Sequence, residues 1–401
     1  MFWEKKLTQW VEEVRDRANL PARLVLWDGQ QHDFGQFAAP QVTLHVKSAT
    51  ALPYLLEPSL DNLGEAYVKG KIDIEGKLSD IINVSYSLAK STVTSASKLA
   101  RVRRYFTHSK SSDKKAIQYH YDVSNEFYKL WLDKNMVYSC AYFENGDEDI
   151  DTAQLKKIDH ILAKIQVQPG HTLLDIGCGW GALVIRAAQK FGAKCVGVTL
   201  SENQFQLATE RVKAACLEDK VEIRLQDYRD ISGQFDRITS VGMCEHVGCK
   251  NLPAYFAKIH ELLVDDGVAM NHGITSSDAD SGETSFGGGE FIDKYVFPHG
   301  ELAHLSTVIR TMQEGGLEVR DVENLRRHYA RTCALWTENF ENNADRIRAT
   351  CDPKTFRIWH VYLAGCAYGF AHDWISLYQI VCGKAGEEPD LIPWSRRYMY
   401  R

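Results

Sequence analysis

Residues 171–191, HTLLDIGCGWGALVIRAAQKF, constrain the fold more than any other stretch of the chain. An apolar run ends in Asp175, glycines follow at Gly177, Gly179 and Gly181, and helical text begins at once in Ala182–Phe191. Glycines let a backbone turn tightly and approach a ligand closely, and a helix N-terminus presents unpaired N–H groups to an anion. Strand, glycine turn and helix in that order make one βα unit of an open sheet. From Ala116 onward the alternation continues, with strand text at His171–Ile176, Lys194–Leu200, Val221–Gln226, Arg237–Gly242, Gly267–His272, Leu317–Glu323 and Ser376–Cys382. Helical text separates most of these runs. The expected fold is α/β, with seven strands in one doubly wound, largely parallel sheet covered by helices on both faces.

Residues 1–100 read differently. Amphipathic helix text in Lys5–Asn19 is followed by strand-like runs at Arg23–Asp28 and Val42–Val46 and by glycine-punctuated alternation over Gly64–Gly76, so a small α+β accessory domain is expected. Residues 101–115, RVRRYFTHSKSSDKK, are basic, serine-rich and aperiodic, the composition of a flexible connector. The expected organisation is therefore an accessory domain over 1–100, a linker over 101–115 and the main α/β domain over 116–401.

Composition narrows the class of protein. With 44% hydrophobic and 25% charged residues the chain has an ordinary globular make-up, and no run of about 18 apolar residues long enough to span a bilayer occurs. Met1–Arg15 lacks the apolar core of a secretory signal, which points to the cytoplasm. The ten cysteines include no CxxC pair, so buried, reduced thiols are expected and no metal site is read. Residues 1–115 hold 17 Lys+Arg against 13 Asp+Glu, net +4, and the remainder 30 against 40, net −10. A mildly basic segment on an acidic body suits an anionic surface such as lipid headgroups, with Lys98, Arg101, Arg103, Arg104, Lys114 and Lys115 as phosphate contacts. No nucleic-acid recognition module and no strong basic stripe is present.

The glycine turn also selects a ligand. Its GxGxG spacing departs from the GxGxxG of pyrophosphate-binding dinucleotide folds, and Asp175 beside it suits an amino acid's ammonium, which favours S-adenosylmethionine over nicotinamide cofactors. After the second strand, Thr199 and Gln204 have hydroxyl and amide groups suited to ribose, although Ser201 with Gln204 three residues on also reads as a helix capping box. The third strand ends in Gln226-Asp227-Tyr228, where an acid and an aromatic suit the amino group and face of adenine.

Several short motifs in fixed order carry a resemblance: Tyr138-Ser-Cys-Ala-Tyr-Phe143, LLDIGCGWG, VTLSENQ, Cys244-Glu-His-Val-Gly248 and Arg327-His-Tyr-Ala-Arg-Thr332. Over about residues 116–401 the chain resembles the cyclopropane-fatty-acid synthases and their mycolic-acid-modifying relatives, while the N-terminal third shares with them only Leu63-Gly-Glu-Ala-Tyr-Val68 and the linker. The resemblance implies a methyltransferase-type, Rossmann-like sheet. It also implies methylene transfer from S-adenosylmethionine to a cis double bond in a membrane phospholipid's acyl chain, at the inner face of the plasma membrane. Homodimers are common in the family. An alkene is a weak nucleophile, so such chemistry needs the methyl held in line with the π bond in a dry pocket, and a base to take a proton from the cation that forms.

By the same resemblance that base is a bound bicarbonate, held at Cys140, Glu245, His272, Ile274 and Tyr329. Tyr138 and Ser139 match methionine-end contacts, Gly177 and Gly179 the cofactor loop, Thr199 and Gln204 the ribose contacts, and Asp227 with Tyr228 the adenine contacts. Tyr121 and Cys366 match positions near the acyl site, and the ring faces of Tyr121, Phe143 and Trp336 are suited to a passing cation. Each of these has a plainer use as packing, capping or a satisfied core polar group. The chain departs from the family at Cys244, commonly aromatic, at Gly273, commonly Thr, and in the loop Asp280–Gly289, which bears on substrate and product. Two other outcomes remain open: a methyl- or methylene-branched acyl product, and a membrane-surface lipid-binding protein without turnover.

Overall fold

The computed structural model describes residues 2–56, 59–92, 123–279, 289–297, 300–386 and 393–400. The linker 101–115, Tyr121 and the loop residues 280–288 lie outside them. Two compact units divide the chain.

The smaller unit holds a four-stranded sheet of β1 (Ala22–Val25), β2 (Gln31–Asp33), β3 (Val42–Val46) and β4 (Ile72–Glu75) in the order β2-β1-β3-β4. The helix Phe2–Ala18 buries Leu7, Trp10, Val11 and Val14, an i, i+3, i+4, i+7 stripe, and Trp10 meets Phe34 edge-on at 5.0 Å. The glycine-punctuated text around Gly64 forms the helix Leu60–Val68, capped by Ser59, before β4. Gly64 lies in that helix because Phe291 packs on it: a Cβ there would stand 2.9 Å from the ring. Residues 289–297 and Cys351–Tyr368 belong to this unit, so the contiguous division into 1–100 and 116–401 differs from the partition of compact units. The contacts responsible are long-range, as in the Arg357 guanidinium lying over Tyr67 at 4.8 Å and pairing with Asp73 at 2.5 Å.

The larger unit contains the seven-stranded sheet. Its strands are β5 (Thr172–Ile176), β6 (Lys194–Thr199), β7 (Val221–Leu225), β8 (Phe235–Val241), β9 (Leu263–Ser276), β10 (Leu317–Asn324) and β11 (Ile375–Lys384), in the order β10-β11-β9-β8-β5-β6-β7. Pairings among β5 to β9 are parallel, and β11 runs antiparallel to both β9 and β10. All seven expected strands are present. β9 is longer than its apolar text because it continues beyond His272 to Ser276, pairing Ile375–Leu377 of β11. Strand order reverses between β5 and β8, and in open sheets ligands bind at the carboxyl ends of strands flanking such a reversal.

Candidate active site

A cavity opens at that reversal. The glycine turn between β5 and the helix Ala182–Phe191 forms its floor, with Gly177, Gly179 and Gly181 at φ +80°, +54° and +84°. Side chains are strained in this region, and at Gly177 a Cβ would also lie 2.6 Å from Met243 Cγ. Asp175, at the end of β5, is buried and accepts from Thr239 Oγ1 at 2.7 Å; desolvation raises its pKa to about 6.

At the end of β6, Thr199 Oγ1 donates to Gln204 Oε1 at 2.8 Å. Ser201 Oγ does cap the following helix by accepting from Gln204 N, but the Gln204 side chain turns to Thr199 instead of closing a capping box. Both residues line the cavity. Asp227 is clamped by Arg229, which donates from Nε at 2.8 Å and Nη2 at 2.7 Å, while its chain neighbours Gln226 and Tyr228 line the cavity. Tyr138 and Ser139 line it from the other side. Ser139 is held twice, its carbonyl accepting from Gln154 Nε2 at 2.8 Å and its hydroxyl from Lys157 Nζ at 2.8 Å.

Next to the cavity lies a second set of groups. The turn after β8 leads through Met243, a cavity residue, into the short helix Cys244–Val247, and this brings Glu245 against β9. Glu245 Oε1 accepts from Ile274 N at 2.6 Å, Oε2 receives the Cys244 thiol at 3.5 Å, and burial raises the pKa of its carboxyl. His272, two residues back on β9, is 1% exposed; burial drives its pKa well down, so its ring is neutral. Its Nδ1 faces Gln379 Nε2 at 3.1 Å, and its Nε2 has no partner among the described residues. Leu325 ties in the rest: its N donates to Leu377 O, opposite Ile274, its carbonyl lies 3.8 Å from Cys140 Sγ, and Tyr329 N bonds back to it. Burial raises the Cys140 thiol's pKa far above the ordinary range, so it is no nucleophile.

Glu245 is thus joined to the C-terminal end of β9, which carries His272 and Ile274, while Cys140 and Tyr329 connect to the neighbouring β11 through Leu325. Tyr329 lies against Phe370 at 4.4 Å with the rings tilted by 30° and meets Trp336 at 6.0 Å, and Trp336 continues to Tyr138 and Trp131 in an aromatic wall. The Phe143 ring carries Arg331 over it at 5.5 Å. Cys366 lies on the helix Pro353–Ala371 in the smaller unit, its thiol pKa raised by burial to about 12.

Sequence reasoning overlooked several residues here. Lys157, Trp180, Gln226, Met243 and His246 line the cavity, and Gln379 touches His272. One signal was available for Lys157: in Ile150–Lys164, Gln154, Lys157, Ile161 and Lys164 fall on one helical stripe, and all are buried.

The departure at Gly273 has a steric partner. A Cβ on Gly273 would lie 2.3 Å from Cys244 Sγ, so the two small residues occupy each other's space. Gly273→Ala is expected to cost about 1–3 kcal/mol by overpacking. Adding Cys244→Ala should recover most of that cost, as non-additive midpoints in denaturant unfolding of the two single variants and the double variant.

Residues 108–380 match the family described as mycolic acid cyclopropane synthetase, and residues 9–97 match a domain of unknown function. A relative from Pseudomonas putida named probable fatty acid methyltransferase is 48% identical over 96% of this chain and 97% of its own. The cyclopropane-fatty-acyl-phospholipid synthase of Escherichia coli is 37% identical over 67% of each chain. Among solved structures, a cyclopropane synthase from Mycobacterium tuberculosis superposes with a TM-score of 0.65 at 33% identity, covering 68% of this chain and 98% of its own. A mycolic acid cyclopropane synthase solved with SAH and CTAB gives a TM-score of 0.65 at 35% identity over 68% of this chain and 98% of its own.

Proposed function

Because the chain belongs to the mycolic acid cyclopropane synthetase family, a lipid-directed group of S-adenosylmethionine-dependent methyltransferases, we propose that it converts the cis double bond of a phospholipid acyl chain into a cyclopropane at the anionic, cytoplasmic face of a membrane, with bicarbonate as proton acceptor. The observation that carries this reading is that β9 holds two buried polar groups close to the cavity residue Met243: Glu245, whose carboxyl accepts from Ile274 N, and His272, whose Nε2 has no partner among the described residues.

Both groups fit the residues present. Gly177 and Gly179 line the cavity without side chains of their own, Thr199 and Gln204 offer polar atoms to a ribose, and Asp175 stands at the turn as an acceptor. S-adenosylmethionine, when bound, supplies an electrophilic sulfonium methyl. The ring nitrogen of His272 that has no partner among the described residues calls for an acceptor, and a carboxyl whose pKa burial raises can share a proton with an anion without repelling it. Bicarbonate, when bound, supplies a weak base that fits these donors.

The chain's own residues perform three tasks in this reading. The turn after β5 and the ends of β6 and β8 orient the donor, which is where effective molarity is gained. The aromatic wall of Tyr138, Trp336 and Tyr329 excludes water from a cationic acyl chain and offers ring faces to it. Glu245 and His272 hold a proton and a donor N–H where the acyl cation must lose a proton.

A methyl- or methylene-branched product is a second reading. It is favoured by the name of the Pseudomonas putida relative, probable fatty acid methyltransferase, and by the small Cys244–Gly273 pair beside Glu245. Purified protein given S-adenosylmethionine and anionic vesicles of unsaturated phospholipid should add one carbon per modified acyl chain. Cyclopropane ring protons in the NMR spectrum support ring closure, vinylidene or branch-methyl signals support the second reading, and an unchanged acyl mass removes both.

A further inference from the structure

Behind His272 runs a buried polar chain that neither donor binding nor methyl transfer explains. Lys164, fully buried, donates to Gln379 Oε1 at 2.8 Å and to Glu323, which also accepts from His160 at 2.9 Å. Gln379, at 0% exposed, reaches His272 Nδ1 with its Nε2 at 3.1 Å. The C-terminal segment covers the far end, with Tyr398 OH on the Lys164 carbonyl at 3.2 Å and Tyr400 OH on Glu323 at 3.4 Å.

With Lys164 as the ammonium paired to Glu323, the donor inventory orders this chain. An ammonium only donates, so the Gln379 atom facing Lys164 is its oxygen, and the NH2 group therefore faces His272. An amide NH2 only donates, so His272 Nδ1 is the bare, accepting nitrogen. Burial keeps the ring neutral, so its one proton sits on Nε2, the nitrogen without a partner among the described residues. Burial lowers the pKa of Lys164, and ionised Glu323, whose pKa is held near 2 against its own desolvation by His160 and Lys164, opposes that and favours the ammonium.

We propose that Lys164 and Gln379 are positioning residues that lock His272 as its Nε2–H tautomer and so aim a permanent N–H donor at the anion site. The catalytic consequence rests on the bicarbonate reading above, whereas the tautomer itself does not. Partners that orient a site histidine change activity by about 10- to 100-fold when removed.

Full-length protein labelled with 15N in histidine, with the His272 signals assigned by their loss in His272→Gln, tests this through long-range proton–nitrogen correlations. The wild type should show an unprotonated Nδ1 and a protonated Nε2. Gln379→Glu, which places only acceptors at that point, should move a proton onto Nδ1. Gln379→Met should mix the tautomers and lower kcat by about 10- to 100-fold with KM for S-adenosylmethionine unchanged. Lys164→Met/Glu323→Gln, which leaves no unpaired buried charge, should reproduce the Gln379→Met signature with Gln379 in place. A wild-type ring protonated at Nδ1, or an unchanged tautomer in the Gln379 variants, overturns the proposal. A wild type that modifies no lipid yet shows the expected tautomer overturns the bicarbonate reading and leaves the lock standing.

Discussion

Glu245→Gln should lower lipid modification by about 100- to 10,000-fold, the range for losing a positioned proton-transfer group, while donor binding stays intact. The substitution isolates the proton. Glutamine has the same volume, and its Oε1 can still accept from Ile274 N, which now meets the carboxylate at 2.6 Å. What disappears is a carboxyl that burial biases toward its protonated form and that can share that proton with a bound anion. The sign for stability is opposite to that for activity. A carboxyl whose folded pKa is raised contributes its full stability below its ordinary pKa and loses it as pH rises through the folded value. The variant, having nothing to ionise, should therefore be no less stable than the wild type at neutral pH and more stable in alkali. Initial rates on unsaturated vesicles, titration calorimetry with S-adenosylmethionine and thermal melts check the three parts. Undiminished turnover would make Glu245 a structural acceptor for the β9 backbone.

How much of this was legible in the sequence depended on the range over which the information acts. The glycine turn could be read because its physics is local: a strand end, three residues in the left-handed region and a helix start lie within a dozen positions. The strands could be read for the same reason, and Gly273 with Cys244 stood out by departure from a motif. Gln379 could not be read, since it acts on His272 from 107 positions away and on Lys164 from 215. Nothing in the text of β11 distinguishes this amide from one facing solvent. Gln204 shows the converse failure. Its capping-box spacing is real, yet the buried Thr199 hydroxyl outcompetes the backbone for its side chain. The late segments of the smaller unit carry no local signal for similar reasons, because they join it through contacts such as Arg357 with Asp73, 284 positions apart.

Lys157→Met should make the protein more stable at pH 7 by about 2 kcal/mol, the second large effect, and should impair it as an enzyme. Lys157 is 2% exposed and burial lowers its pKa from an ordinary 10.5 to about 8, against the pull of Asp133 and Asp175. For a base with a depressed folded pKa, stability is complete above the unfolded value and is lost as pH falls through the folded one. Below pH 8 the full cost of carrying that charge inside, about 3 kcal/mol, is therefore present. Removing the amine relieves it, less about 1 kcal/mol for the bond to the Ser139 hydroxyl. The advantage of the variant should shrink steadily as pH rises from 8 toward 10.5, which denaturant titrations of both proteins across that interval would follow. A variant less stable than the wild type at pH 7 would mean that the ammonium is stabilised in the fold beyond what its surroundings indicate. A chain that keeps a destabilising cation does so where the charge is used. Here it lines the donor cavity and fixes Ser139, so the gain in stability should be accompanied by a weaker affinity for S-adenosylmethionine.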